Sequence, residues 1–269
     1  MNIRLAKSLT KKEAAMGDWN INLSGKVALV TGGSRGLGKA IALAMAEKGA
    51  TIVICGRKQE NLAKALAELK ATGVEVLAQV ANMGKSEQVA SLFQAVEGKF
   101  GKLDILVNNV GTNLLTPSVA EADEGLWDKL LETNLKSAFL ASSMAYKLMK
   151  KAGAGKIINI SSIAARKAAR GMGIYCIAKA GLEMLTKVLA VELASDHIQV
   201  NAVAPSVVRT QFSQPFWSNE SIMQEILRTI PAGRIAEPDD VVGAVLFLAS
   251  SLSDFITGEV INVDGGSMA

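Results

Sequence analysis

Histidine occurs once in this chain, at His197, and cysteine twice, at Cys55 and Cys176. That scarcity excludes a multi-histidine zinc centre, an all-cysteine metal cluster and a disulfide framework, and it argues against a histidine-dependent triad. No metal site is expected, and acid and base chemistry falls to Tyr, Lys, Asp or Glu. Long apolar runs are also missing. The mean hydropathy is +0.27, yet Val241 to Leu248, about the longest run, contains a glycine and falls far short of the roughly 18 residues a spanning helix needs. No membrane span is expected, so the hydrophobicity belongs in a core or between subunits. Charge of one sign is not in excess either: +4 over 269 residues gives no reason to expect nucleic acid as a partner.

With 49% hydrophobic and 20% charged residues, the chain is an ordinary globular sequence, long enough to bury a large core. Its first 18 residues differ. Arg4, Lys7, Lys11 and Lys12 stand there against Glu13 and Asp18, with no apolar segment of the kind a secretory signal requires. Residues 1–20 are read as an N-terminal extension, either loosely docked or a basic transit segment, and residues 21–269 as a single domain. Ser267-Met268-Ala269 is not a peroxisomal signal of the Ser-Lys-Leu type, and a cytoplasmic protein is expected.

From Lys26 onward, short apolar runs alternate with stretches of helical periodicity. Strands are expected at Val27–Val30, Thr51–Cys55, Val74–Val80, Ile105–Val107, Lys156–Ile160, Gln199–Val203 and Val260–Val263. Helices are expected at Gly38–Lys48, Glu60–Ala71, Ser86–Phe100, Glu124–Lys151, Tyr175–Ala194 and Pro238–Ala249. This alternation specifies an α/β, doubly wound architecture: a parallel sheet of about seven strands with helices on both faces, since right-handed crossovers place the helices there. Ser206 to Ile230 is the one long irregular insertion and is read as a substrate loop.

The first strand runs into Thr31-Gly32-Gly33-Ser34-Arg35-Gly36-Leu37-Gly38 and then a helix. Such a turn either merely connects tightly or brings backbone N–H groups and a helix N-terminus to a pyrophosphate; the strand before and the helix after favour the second. NAD-binding folds place Asp or Glu at the end of the second strand, about where this chain has Gly56, 24 residues after Gly32. Arg57 and Arg35 are either solvated or reach the same ribose, where guanidinium groups suit a 2′-phosphate. The cofactor implied is NADP(H).

Both tyrosines open a Tyr-x-x-x-Lys sequence, Tyr146 with Lys150 and Tyr175 with Lys179; this spacing puts each pair on one helix face. Tyr146 lies inside a long helix, where packing with a polar tip is its expected role. Tyr175 follows a strand ending in Ser161-Ser162, and ligands of open α/β sheets sit at the carboxyl ends of strands.

Together these motifs resemble the short-chain dehydrogenase/reductase family, from about Leu23 to Gly266. Thr31 to Gly38 matches TGxxxGxG, Asn108-Asn109-Val110-Gly111 matches NNAG with one change, Ser162 precedes Tyr175 by 13 residues, and Val260 to Gly266 looks like the VDGG ending. The resemblance implies a Rossmann-type fold and a tetrad of Asn134, Ser162, Tyr175 and Lys179 that reduces a carbonyl to an alcohol by hydride transfer. Tyr175 would supply the proton, Lys179 would lower its pKa and bind the nicotinamide ribose, Ser162 would hold the carbonyl oxygen, and Asn134 would support a water relay. Asn134 and Ser162 also have bland readings, as a helix irregularity and a strand-end residue. Cofactor contacts are implied for Gly32, Ser34, Arg35, Gly36, Leu37, Gly38, Arg57, Asn109, Val110, Gly111, Tyr175 and Lys179. They are also implied for Asn82 with its neighbour Met83, where the family usually has Asp, and for Pro205, Val208 and Thr210. Ser206 stands where the family has glycine, a residue of wider backbone freedom.

Phe212, Phe216, Trp217, Ile222 and Met223 concentrate in the Ser206 to Ile230 loop, and either close over an apolar carbonyl compound or pack on another subunit. Arg166, Lys167 and Arg170 are either solvated or attract an anionic substrate. Within the family the pattern is most similar to NADPH-dependent carbonyl or retinal reductases. A 3-oxoacyl-ACP/CoA reductase, a sugar-acid dehydrogenase and an NADPH-binding regulator or scaffold without turnover are the alternatives. The resemblance and the apolar composition also imply a homotetramer.

Overall fold

Seven aliphatic runs form strands β1 (Val27–Thr31), β2 (Thr51–Gly56), β3 (Val76–Val80), β4 (Ile105–Asn108), β5 (Gly155–Ile160), β6 (Ile198–Pro205) and β7 (Val260–Val263). They pair in parallel throughout, in the order β3-β2-β1-β4-β5-β6-β7. This computed structural model describes residues 20–269; the extension expected at 1–20 therefore lies, but for its last residue, outside the described residues. Among the described residues no helix is long and apolar enough to cross a membrane.

The helices are α1 (Gly36–Glu47), α2 (Gln59–Lys70), α3 (Ser86–Phe100), α4 (Glu124–Leu131), α5 (Ser137–Ala152), α6 (Gly173–Leu193), α7 (Gln214–Trp217), α8 (Glu220–Leu227) and α9 (Pro238–Ala249). Alternate strand residues feed two cores. Ala28 and Val30 pack with α1 and α9 on one face of the sheet. Val27 and Leu29 pack with α3, α5 and the end of α6 on the other. Full burial of such side chains contributes about 1.5–3 kcal/mol each, so a register slip of one residue would swap the two cores and is strongly disfavoured.

Most boundaries shift from the sequence reading by one or two residues, and three differences have a clear physical form. The third strand starts at Val76 because Gly73, at φ +85°, turns the chain after α2 and leaves Val74 and Glu75 in the connection. The helix expected over Glu124–Lys151 is interrupted: a π-helical turn, Glu132–Lys136, separates α4 from α5. The insertion at Ser206–Ile230 is not wholly irregular, since α7 and α8 form within it, the latter capped by Asn219, whose Oδ1 accepts from the Ile222 N–H.

Sequential strands run outward from β1 in one direction and from β4 in the other. The crevice where this order reverses, outside the carboxyl ends of β1 and β4, is where open α/β sheets take their ligands. Thr31 ends β1 there, and Asn109 directly follows the end of β4. Behind them a buried polar ladder links sheet to helices: Asn108 Nδ2 donates to Ser142 Oγ at 3.1 Å and Asn159 Oδ1 at 2.9 Å, and Asn159 Nδ2 donates to Thr186 Oγ1 at 2.8 Å.

Candidate active site

At the switch point the buried Thr31 hydroxyl donates to Val107 O at 3.2 Å and accepts from the backbone N–H of Asn109 at 3.0 Å and of Val110 at 3.2 Å. Asn109 Nδ2 donates to Thr31 O at 3.0 Å. Asn109 therefore locks the β4 loop to the glycine-rich turn. Gly36 holds φ +52° at the start of α1, and a Cβ on Gly38 would lie 2.4 Å from Asn109 Nδ2 and 2.5 Å from Gly32 O. Only glycine allows that approach. The turn leaves a backbone cradle at a helix N-terminus, which suits a pyrophosphate.

Beyond the cradle, Gly56 ends β2. A Cβ there would lie 2.8 Å from Ser34 Oγ, so Ser34 fills the space in which a carboxylate at position 56 would have to begin. Arg35 and Arg57 are exposed on the wall of the same cavity. Arg35 Nη1 also donates to Gln211 Oε1 at 2.7 Å, tying the glycine-rich turn to the insertion. Asn82 Oδ1 accepts from the Gly84 N–H at 3.1 Å, and Met83 is buried with its Sδ 3.5 Å from Cys55 Sγ. This end of the cavity offers the adenosine end of a dinucleotide two cations and an apolar floor.

The opposite end holds the Tyr-x-x-x-Lys pair of α6. Tyr175 and Lys179 are both buried. Lys179 Nζ donates to Ile160 O at 2.7 Å and lies 5.6 Å from the centre of the Tyr175 ring. Ser162 caps a 3-10 turn over Ile163–Ala165, accepting from the Ala164 N–H, and its hydroxyl lies near enough to that of Tyr175 to favour the phenolate. Asn134 sits in the π turn. Its Nδ2 donates to Leu130 O and Thr112 O, both at 2.8 Å, and its Oδ1 accepts from the Thr112 N–H at 3.0 Å. A Cβ on Gly111 would lie 3.1 Å from Asn134 Oδ1 and 3.7 Å from Lys179 Nζ, so the β4 loop, the π turn and α6 converge. Asn134 is thus both the helix irregularity and part of the cluster.

The expected lowering of the Tyr175 pKa by Lys179 is not found. Burial pushes the Tyr175 hydroxyl up to about 12, with the nearby Ser162 hydroxyl opposing it, and burial brings Lys179 down to about 8. Desolvation disfavours the charged form of both groups. Arg166 likewise departs from its anion-attracting reading: its Nε donates to buried Glu183 Oε2 at 2.8 Å. The second Tyr-x-x-x-Lys pair lies elsewhere, with Tyr146 OH donating to Asp196 Oδ2 at 2.9 Å and accepting from Lys150 Nζ at 2.8 Å. Ser206 keeps an ordinary negative φ, since His197 is the one non-glycine residue of positive φ among the described residues; its N–H donates to Val263 O at 3.2 Å.

A cavity of about 1080 Å³ joins both ends. Every cofactor position expected from the sequence lines it, from Gly32 to Thr210, as do Ser162, Tyr175 and Lys179; Asn134 lies behind the wall. Phe212, Phe216, Ile222 and Ile226 of the insertion close the outer side, and the Phe212 ring lies 6.4 Å from that of Tyr175. Trp217 instead anchors the insertion, donating from Nε1 to Ser213 Oγ at 3.0 Å and stacking under Arg209 at 5.4 Å.

Comparison with known proteins places this geometry. A family model described as enoyl-(acyl carrier protein) reductase matches residues 32–268. A tropinone reductase homolog of Arabidopsis thaliana is 41% identical over 91% of this chain and 93% of its own length. The human dehydrogenase/reductase SDR family member 4 is 38% identical over 91% of this chain and 88% of its own. Among solved structures, a short-chain type dehydrogenase/reductase from Mycobacterium marinum superposes with a TM-score of 0.88 at 32% identity, covering 93% of this chain and 98% of that one. Likeness of this extent, on a doubly wound sheet whose switch point opens onto a tyrosine-lysine pair, means that the chain belongs to the short-chain dehydrogenase/reductase family, oxidoreductases that use a nicotinamide cofactor.

Proposed function

We propose that this protein is an NADP(H)-dependent reductase of apolar ketones, aldehydes or diketones, a cytoplasmic enzyme whose residues 21–269 act as one catalytic domain. The observation that carries this reading is the meeting of Tyr175, Ser162 and Lys179 inside a cavity whose outer wall is Phe212, Phe216, Ile222 and Ile226. Arg35, Arg57 and the space-filling Ser34–Gly56 contact support the preference for a 2′-phosphate.

When bound, the nicotinamide supplies the hydride. Ser162 holds the carbonyl oxygen, on which negative charge develops, and Tyr175 gives that oxygen its proton. With its pKa near 12, Tyr175 is fully protonated at neutral pH, the state a proton donor needs. Lys179, near 8, is largely charged at neutral pH; it would bind the ribose of the dinucleotide and stabilise the phenolate left on Tyr175. Asn134 uses its side chain to hold the Thr112 backbone against the site and supports a water relay. Phe212 and Phe216 exclude bulk water.

A spectrophotometric NADPH-oxidation screen over diketones, aldehydes, β-ketoesters, acyl thioesters and keto-sugar acids tests the reading. Turnover concentrated on neutral apolar carbonyls is expected. Lys167 and Arg170, exposed on the same wall, favour a second reading, an acidic substrate such as a sugar acid or an acyl thioester; turnover confined to those classes would establish it. Tight NADPH binding without turnover on any class would mark a cofactor-binding regulator.

A further inference from the structure

Glu183 follows Tyr175 and Lys179 on α6, each four residues after the last, so the three side chains share one helix face. Its side chain is only 10% exposed. One carboxylate oxygen, Oε1, accepts from Ser161 Oγ at 3.1 Å, and the other, Oε2, accepts from Arg166 Nε at 2.8 Å. Ser161 and Arg166 bracket the 3-10 turn that Ser162 caps. Arg166 reaches on, donating from Nη1 to Asn262 Oδ1 of β7 at 3.1 Å. A buried carboxylate is tolerated only when its lone pairs are engaged, and here both oxygens are engaged by the two ends of one turn. Nothing in the hydride or proton transfer uses this group.

We infer that Glu183 is a positioning residue: it clamps both ends of the Ser162 turn onto the helix that carries Tyr175 and Lys179, and so fixes the serine hydroxyl against the tyrosine. The inference rests on the proposed role of Ser162 in holding the carbonyl oxygen. Displacing such a group by about 1 Å lowers turnover on the order of a hundredfold, whereas the cofactor cradle, at the ends of β1 and β4, does not touch the clamp.

The test is a double-mutant cycle on the full chain, with NADPH and phenanthrenequinone as the probe carbonyl. Glu183→Ala is expected to lower kcat at least about tenfold while the NADPH dissociation constant, read by fluorescence titration, stays within about threefold. In a Ser162→Ala background the same change is expected to cost less than about threefold further, because a residue acting through Ser162 has nothing left to position. Equal losses in both backgrounds would overturn the inference, as would an unchanged kcat. Should Glu183→Ala fail to fold, Arg166→Ala releases one end of the turn from a half-exposed position and enters the same cycle. Failure of the function reading looks different: either the unaltered chain does not turn the probe over, or Ser162→Ala alone leaves kcat untouched.

Discussion

Replacing Lys179 by methionine is expected to stabilise the protein while abolishing its turnover. The lysine is buried, at 3% exposure, and its pKa falls from 10.5 to about 8 with desolvation as the cause. At about 1.4 kcal/mol per pKa unit, holding it charged below pH 8 costs the folded state about 3 kcal/mol. Methionine keeps most of the packing and loses the 2.7 Å bond to Ile160 O, a loss of about 1 kcal/mol. The net gain at pH 7 is therefore about 2 kcal/mol.

Its pH dependence carries the diagnosis. Between pH 8 and 10.5 the unfolded chain keeps the lysine proton and the folded chain has lost it, so the stability of the unaltered protein rises with pH across that window. The variant has no such rise. Its advantage is full below pH 8 and gone by about 10.5, where the missing hydrogen bond leaves it slightly the less stable. Tyr175 and Cys55, whose folded values are raised to about 12 and about 11, take stability away as pH climbs through and beyond their unfolded values. They do so in both proteins and cancel in the difference. Urea unfolding followed by circular dichroism at pH 7, 8, 9 and 10 measures it. A variant less stable than its parent at pH 7, or a difference that does not shrink toward pH 10, would refute the reasoning.

Tyr175→Phe should lower kcat by about a hundredfold or more with NADPH affinity nearly intact, while Tyr146→Phe retains activity; reversed outcomes in steady-state kinetics would mean the site has been misplaced. NADPH should bind about tenfold more tightly than NADH, a difference of about 1.4 kcal/mol, and Arg57→Ala should narrow that ratio; equal affinities in a titration would sink the 2′-phosphate assignment. Light scattering should give four times the 28.2 kDa chain, about 113 kDa, because α5 and α6 expose Phe139, Met184, Val188 and Val191, the last at 82%. A mass near 28 kDa would refute the tetramer, and one near 56 kDa would leave a single interface.

The strands were legible because a parallel sheet covered on both faces is written as uninterrupted apolar runs, and the glycine-rich turn because close backbone approach at Gly38 admits one residue type. Tyr175 stands out from Tyr146 by its position after a strand, and Ser162 is singled out through the family resemblance; the fold brings both into one cavity. What escaped is held by partners far apart in the chain. In the π turn Asn134 is tied to the Thr112 backbone, 22 residues away, and no local pattern announces that contact. The Asn108–Asn159–Thr186 ladder and the Arg166–Glu183 pair each join residues of different elements. Periodicity sees faces, whereas these contacts are decided by which elements the topology makes neighbours.

The two Tyr-x-x-x-Lys pairs make the same point within one motif. Both satisfy the helical spacing, and in both the lysine lies within 6 Å of the ring, at 5.3 Å for the first pair and 5.6 Å for the second. Their electrostatics run in opposite directions. Tyr146 and Asp196 hold Lys150 above its ordinary value at the surface, so that lysine is charged at every physiological pH and has no proton to exchange there. Burial brings Lys179 to about 8, within reach of neutrality, beside a tyrosine that burial holds in its protonated form. Spacing builds both pairs, but desolvation beside the end of β5 sets this one apart, and the same desolvation is what the methionine variant would relieve.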